Sequence, residues 1–169
     1  MTLRYGVIGT GMMGQEHVRN IALLGEATVT AIADTREDMR HAGLAAAEQA
    51  GMAGIRAFAD HKALLSSDLI DALLIVSPND THYQITLDAL ATNLPILLEK
   101  PSATSAEQAR DLARRAHNRH APVWVAMEYR YMPPVARLIE EVRGGAAGDI
   151  KMVSIVEHRY PFLVKPGNW

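Results

Sequence analysis

A chain of 169 residues is long enough to bury one good core, or one domain and the beginning of another. Its hydrophobic share of 49% and charged share of 21% are those of an ordinary globular protein. A net charge of −2, with acids and bases interspersed, excludes the basic footprint of a nucleic-acid binder. There is no cysteine, which excludes disulfides and thiolate metal sites.

The first residues, MTLRYGVIGTG, enter a strand pattern at once, so no signal peptide is expected, and no apolar run approaches the roughly 18 residues of a membrane span. A cytoplasmic protein without membrane attachment is the expectation. Short β-rich runs at 4–8, 28–33, 55–58, 72–76, 96–98 and 123–127 then alternate with longer stretches. Several of the runs are continuously apolar, as in a parallel sheet covered on both faces. Helices are expected at 12–24, 37–50, 81–91, 106–117 and 133–142. Thr104 with Glu107 matches a capping box for the fourth of these, and Asn79 and Asp80 are good caps for the third. The fold class is therefore α/β, a doubly wound parallel sheet of the Rossmann kind.

After Gly148 the pattern changes. Residues 150–159 alternate, with Ile150, Met152, Ser154, Val156 and His158 on one face, and read as a half-buried strand. A strand that long needs partners for its backbone groups, and the remaining PFLVKPGNW supplies none. The expected division is a dinucleotide-binding domain at 1–128, then a linker helix and the first strand of an incomplete second domain at 129–169.

Gly9, Gly11 and Gly14, in GTGMMG, follow the first strand and open the first helix. In such a turn the first glycine allows the sharp bend and the second lets backbone approach a pyrophosphate. The third lets helix and strand pack closely, while the helix N-terminus faces the anion. Asp34 closes the second strand about 20 residues further on, where a carboxylate can bind a ribose diol. The same carboxylate repels a 2′-phosphate and favours NAD over NADP, although Arg36 could accommodate that phosphate. In VSPNDTH, Ser77, Pro78 and Asn79 end the fourth strand, at the edge where an open α/β sheet binds its ligand. ILLEKPSA runs from a buried strand into Glu99, Lys100 and Pro101, charges that are either a solvated strand tip or part of a site. His117 and His120 lack a carboxylate cluster and read as a solvated helix end. His17 and His61 read as structural or surface residues.

GTGMMG, SPNDTH and EKP, in that order after successive strands, resemble the Gfo/Idh/MocA oxidoreductase family, and EYRYMPP followed by GAAGDI resembles that family's passage between domains. The resemblance implies a Rossmann domain followed by an α/β domain with a large open sheet. It implies NAD or NADP as cofactor and oxidation of a secondary alcohol on a sugar or cyclitol, with homo-oligomers formed through that sheet. Carried over, Gly9 to Gly14, with Met12 and Met13, hold the pyrophosphate, and Asp34, Thr35 and Arg36 meet the adenosine ribose. Ser77, Pro78, Asn79 and His82 lie near the cofactor. Glu99 and Lys100 stand at the nicotinamide end, the lysine reaching the reacting hydroxyl, and the Lys100–Pro101 bond is expected to be cis. Arg130 matches a residue close to nicotinamide or substrate. The family's catalytic histidine would fall beyond Trp169; His158, with Glu157 and Arg159 beside it, could stand in for that base, although a substrate contact is the role expected of it. The alternative reading is a dinucleotide-binding module without catalysis.

Overall fold

A computed structural model describes residues 2–158. In chain order its elements are β1 (Leu3–Ile8), α1 (Met12–Ala22), β2 (Ala27–Ala33), α2 (Glu37–Gln49), β3 (Arg56–Phe58) and α3 (His61–Leu65). There follow β4 (Ala72–Ile75), a 3-10 turn (Asn79–Thr81), α4 (His82–Leu90), β5 (Ile96–Glu99), α5 (Ala106–His117), β6 (Val123–Ala126), a second 3-10 turn (Glu128–Tyr131) and α6 (Pro133–Arg143). The chain separates into two units, Met1–Ala126 and Met127–Trp169.

All six strands form one parallel sheet in the order β3-β2-β1-β4-β5-β6. The apolar runs explain it. Successive strand residues face opposite sides, and both sides are dry. Ile8, Leu73, Ile75, Ile96 and Leu98 pack with Leu64, Ile85, Ala89 and Leu112 from α3, α4 and α5. Val7, Val29, Ile32 and Leu74 pack with Val18 and Ile21 of α1 and Ala46 and Ala47 of α2. This second layer thins at the sheet edge. Trp124 of β6, in register with half-buried Leu97, is 57% exposed.

The strand order reverses between β1 and β4, and the turns leaving these two strands therefore meet. A Cβ on Gly9, whose φ is +94°, would lie 2.6 Å from the Ser77 nitrogen. That side chain is excluded both by the backbone conformation and by the neighbouring turn. At the opposite ends of the same strands, Arg4 reaches across to Asp71 with Nη2 at 2.7 Å and Nε at 2.9 Å, while the Arg4 N–H also donates to the carboxylate. The Arg4 guanidinium, then its backbone N–H, holds the Asp71 carboxyl down to about 2. Because the folded value lies below the unfolded one, the pair stabilises the fold above about pH 4 and loses that contribution as pH falls toward 2. Both side chains are more than a third exposed, so solvent and salt screen the effect. Thermal unfolding between pH 5 and pH 2 checks this: Asp71→Asn is expected to melt lower at pH 5 and to lose less of its Tm over the interval.

The structure departs from the sequence expectations at four places. Residues 150–158 form neither strand nor helix, because no strand among the described residues pairs with them; Arg159 and PFLVKPGNW lie outside the described residues. α5 is capped by Ser105, whose Oγ accepts from Gln108 N–H at 3.2 Å, one residue beyond the expected Thr104. Neither Asn79 nor Asp80 caps α4, because both enter the 3-10 turn that precedes it. α3, a single turn, was not among the expected helices, although Asp60, a likely N-cap in the sequence, does cap it.

Candidate cofactor site

The site grows from the turn after β1. Gly9 to Gly11 lead into α1, with Gly11 at its N-cap position and no side chain capping it; no acidic residue occupies the first turn. The first N–H groups of α1 therefore keep their donors for an external acceptor, and the helix dipole favours an anion there. The three glycines are glycine for three different reasons. Gly9 needs its positive φ. A Cβ on Gly14 would lie 2.1 Å from the Gly9 carbonyl oxygen, so its absence lets α1 close onto the turn. A Cβ on Gly11 would meet nothing within 4 Å among the described residues. Its backbone is extended, at φ −65° and ψ −166°, and any residue could adopt it. The protein itself has no need for glycine at position 11, whereas a pyrophosphate approaching the backbone does. Met12 and Met13 stand exposed on the first turn beside this opening.

Asp34 is tied to the same turn. Its Oδ2 accepts from Thr10 N–H at 2.9 Å and its Oδ1 from Arg36 N–H at 3.0 Å. Thr10 is itself fully buried, with its hydroxyl donating to the Met39 carbonyl at 2.7 Å. A carboxylate has about four lone-pair positions, so Asp34 retains acceptor capacity for a ribose hydroxyl. Thr35 beside it is exposed, and its carbonyl is held by Arg40. The Arg36 guanidinium makes a two-point contact with Asp38, through Nε at 3.0 Å and through Nη2. That hydrogen bond holds the Asp38 carboxyl below its usual range, so Arg36 meets a carboxylate already rather than a phosphate.

On the β4 side, Pro78 is exposed and Asn79 half-buried at the turn. Thr81 Oγ1 lies 2.7 Å from both Ser77 Oγ and the Pro78 carbonyl. His82 lies beneath them, 1% exposed. Its Nδ1 faces the Pro101 carbonyl at 2.7 Å and its Nε2 the Ser77 carbonyl at 2.8 Å. A ring carrying one proton satisfies one of these oxygens and a ring carrying two satisfies both. Either way, His82 bridges the turn after β4 and the turn after β5.

β5 ends in Glu99, 8% exposed; the turn after it begins with exposed Lys100, and the Lys100–Pro101 bond is cis. Burial pushes the Glu99 carboxyl up. The hydrogen bonds from His17 and from Lys100 N–H, with the charges of His17 and Lys100, outweigh burial and hold it below its usual range. His17 makes this contact from α1, at 2.8 Å between Nε2 and Oε1; the sequence marks it only as a structural or surface residue, because nothing in the pattern joins residues 82 positions apart. Arg130, in the second 3-10 turn, and His158 are both exposed residues of the second unit.

Residues 3–127 match the model of the oxidoreductase family with an NAD-binding Rossmann fold, Gfo/Idh/MocA. The chain belongs to that family. The rhizopine catabolism protein MocA of Rhizobium meliloti is 31% identical over 153 residues, 89% of this chain and 45% of that protein. An inositol 2-dehydrogenase of Paracoccus denitrificans is 37% identical over 150 residues, 85% of this chain and 43% of its own length. Among solved structures, the myo-inositol dehydrogenase of Lactobacillus casei in complex with NAD(H) and myo-inositol superposes with a TM-score of 0.77 at 30% identity, over 86% of this chain and 42% of that one. The chain thus spans less than half the length of these Gfo/Idh/MocA relatives. No helix among the described residues is long and apolar enough to cross a membrane.

Proposed function

We propose that this chain binds NAD(H) at the turns after β1, β2 and β4, and that it is the cofactor half of a dehydrogenase acting on a secondary alcohol of a sugar or cyclitol. One observation carries the reading. Among the described residues nothing lies within 4 Å of a Cβ on Gly11, at an uncapped helix N-terminus, with an acceptor-bearing carboxylate tied to the same turn. The backbone N–H groups at the start of α1 would hold the pyrophosphate, with Met12 and Met13 beside it. Asp34, flanked by Thr35 and Arg36, would take the adenosine ribose. Ser77, Pro78 and Asn79 would line the crevice toward the nicotinamide, with His82 supporting them from below.

The bound nicotinamide supplies the hydride acceptor. The chain's own contribution at the reacting end is Lys100. An ammonium placed at a secondary hydroxyl lowers the cost of the alkoxide charge that develops as hydride leaves, and Glu99 holds the lysine backbone through its Oε2 at 2.9 Å. The substrate contacts, the partner in proton transfer and the oligomer interface belong, in this reading, to a second domain. Residues 129–169 are its beginning, and Arg130 and His158 are candidates there for contact with a polyol.

Titration of NADH fluorescence tests the first half of the proposal, and a chain that leaves the signal unchanged up to millimolar nucleotide refutes it. The second half is tested in a form of the protein that oxidises a polyol. Lys100→Met is expected to lower kcat by roughly 100-fold or more while NADH affinity stays within about threefold, and turnover close to wild type would remove Lys100 from the chemistry. A chain that binds NADH but supports no alcohol-dependent reduction in any longer form would be a non-catalytic dinucleotide module.

A further inference from the structure

The first helix carries a residue that the cofactor reading leaves unused. His17 lies one turn beyond Gly14, next to Val18, which is fully buried against the sheet. Val18 fixes the rotation of α1 about its axis and so fixes the direction of the neighbouring imidazole. That direction leads to Glu99 at the end of β5. Since the Glu99 carboxyl is held below its usual range, its oxygens only accept, and His17 Nε2 must carry the proton of the 2.8 Å bond to Oε1. The other oxygen, Oε2, accepts the Lys100 N–H at 2.9 Å. Glu99 is 8% exposed, and a carboxylate removed that far from water needs donors on both oxygens. His17 is the side chain that donates to Oε1.

We infer that His17 is a positioning residue for Lys100: it orients the Glu99 carboxylate that holds the Lys100 backbone. The inference rests on the proposed function only for what Lys100 does once positioned. Its physical content is a rigid link. The N-terminal amides of α1 face the pyrophosphate opening, and the same helix, less than two turns later, holds the turn that presents the lysine. The helix that would receive a dinucleotide and the backbone that carries the lysine thus share one hydrogen-bonded link, from His17 through Glu99 to the Lys100 N–H. A mutation at position 17 would leave the glycine turn intact and loosen its registration with Lys100.

The test is amide hydrogen exchange on the 169-residue chain, read at Lys100 and, as an internal reference, at the core residue Leu98. His17→Leu removes the donor. His17→Gln keeps an amide N–H at a reach close to that of Nε2. In His17→Leu the Lys100 amide is expected to exchange about tenfold faster with Leu98 unchanged, and His17→Gln is expected to restore Lys100 to within about threefold of wild type. A merely structural histidine would change both amides together and follow the melting temperature. Unchanged Lys100 exchange in folded His17→Leu overturns the inference, as does a His17→Gln protein that behaves like His17→Leu. Should His17→Leu fail to fold, Glu99→Gln, which keeps the shape but weakens the acceptors, is read in the same way against the same reference. NADH titration of the wild-type sample judges the cofactor reading separately, because the exchange experiment uses no nucleotide.

Discussion

Gly11→Asp is expected to stabilise the domain slightly while abolishing measurable NADH binding at micromolar nucleotide. The two effects have opposite signs because they act on different partners. Position 11 is the N-cap of α1, where an aspartate carboxylate can accept from the exposed N–H groups and interact favourably with the helix dipole. Beyond its chain neighbours, no atom of the described residues lies within 4 Å of the added Cβ, and the backbone is in an ordinary extended region, so the described fold offers no resistance. The same carboxylate would occupy the pyrophosphate's place with like charge and take its donors. A loss of at least about 100-fold in affinity, roughly 2.8 kcal/mol, is expected. Gly14→Val supplies the contrast. Its Cβ would stand 2.1 Å from a backbone oxygen that cannot be displaced cheaply, and destabilisation of about 3 kcal/mol or more is expected. Thermal unfolding and NADH titration on the two variants decide the matter. A Gly11→Asp protein that still binds NADH at wild-type strength would show that position 11 faces no phosphate.

NADPH is expected to bind at least about tenfold more weakly than NADH, and Asp34→Ser to narrow that gap mainly by strengthening NADPH. Asp34 is anchored by Thr10 and Arg36 N–H donors, so it cannot swing away from a 2′-phosphate, and Arg36 is already engaged by Asp38. A double variant, Asp34→Ser with Asp38→Ala, should go further by freeing the guanidinium. Competition of the two nucleotides for one site, followed by fluorescence, checks the order. Equal affinities in the wild type would mean that the carboxylate does not reach the ribose.

The parts of this architecture that were legible in the sequence are those governed by local pattern. The continuous apolar runs of β4 and β5 could only be strands covered on both sides, and GTGMMG between a strand and an amphipathic stretch marked the turn that now opens onto free space. Features set by tertiary context were not legible. HKALL is too short to display a helical period, and α3 exists because Asp60 caps it and Leu64 is buried in the core. The SPNDTH turn offered two good caps, yet the chain uses a 3-10 turn there and spends His82 on carbonyls from two loops. His17 illustrates the general case. Its role depends on Glu99, a partner that only the folded sheet brings near, and an isolated histidine on a helix carries no local mark of it. The alternation at 150–159 reads as a strand in the sequence, yet 150–158 form none, since a strand is defined by a neighbour and none among the described residues pairs with them.

The order of the sheet also bears on how the chain emerges from a ribosome. β1 sits between β2 and β4, and the Arg4–Asp71 pair that marks its second edge joins residues 67 positions apart. At about 5 to 20 residues per second, the first strand waits roughly 3 to 13 s after its own synthesis for that edge to be filled. During this interval YGVI presents an open apolar template to any other nascent strand nearby.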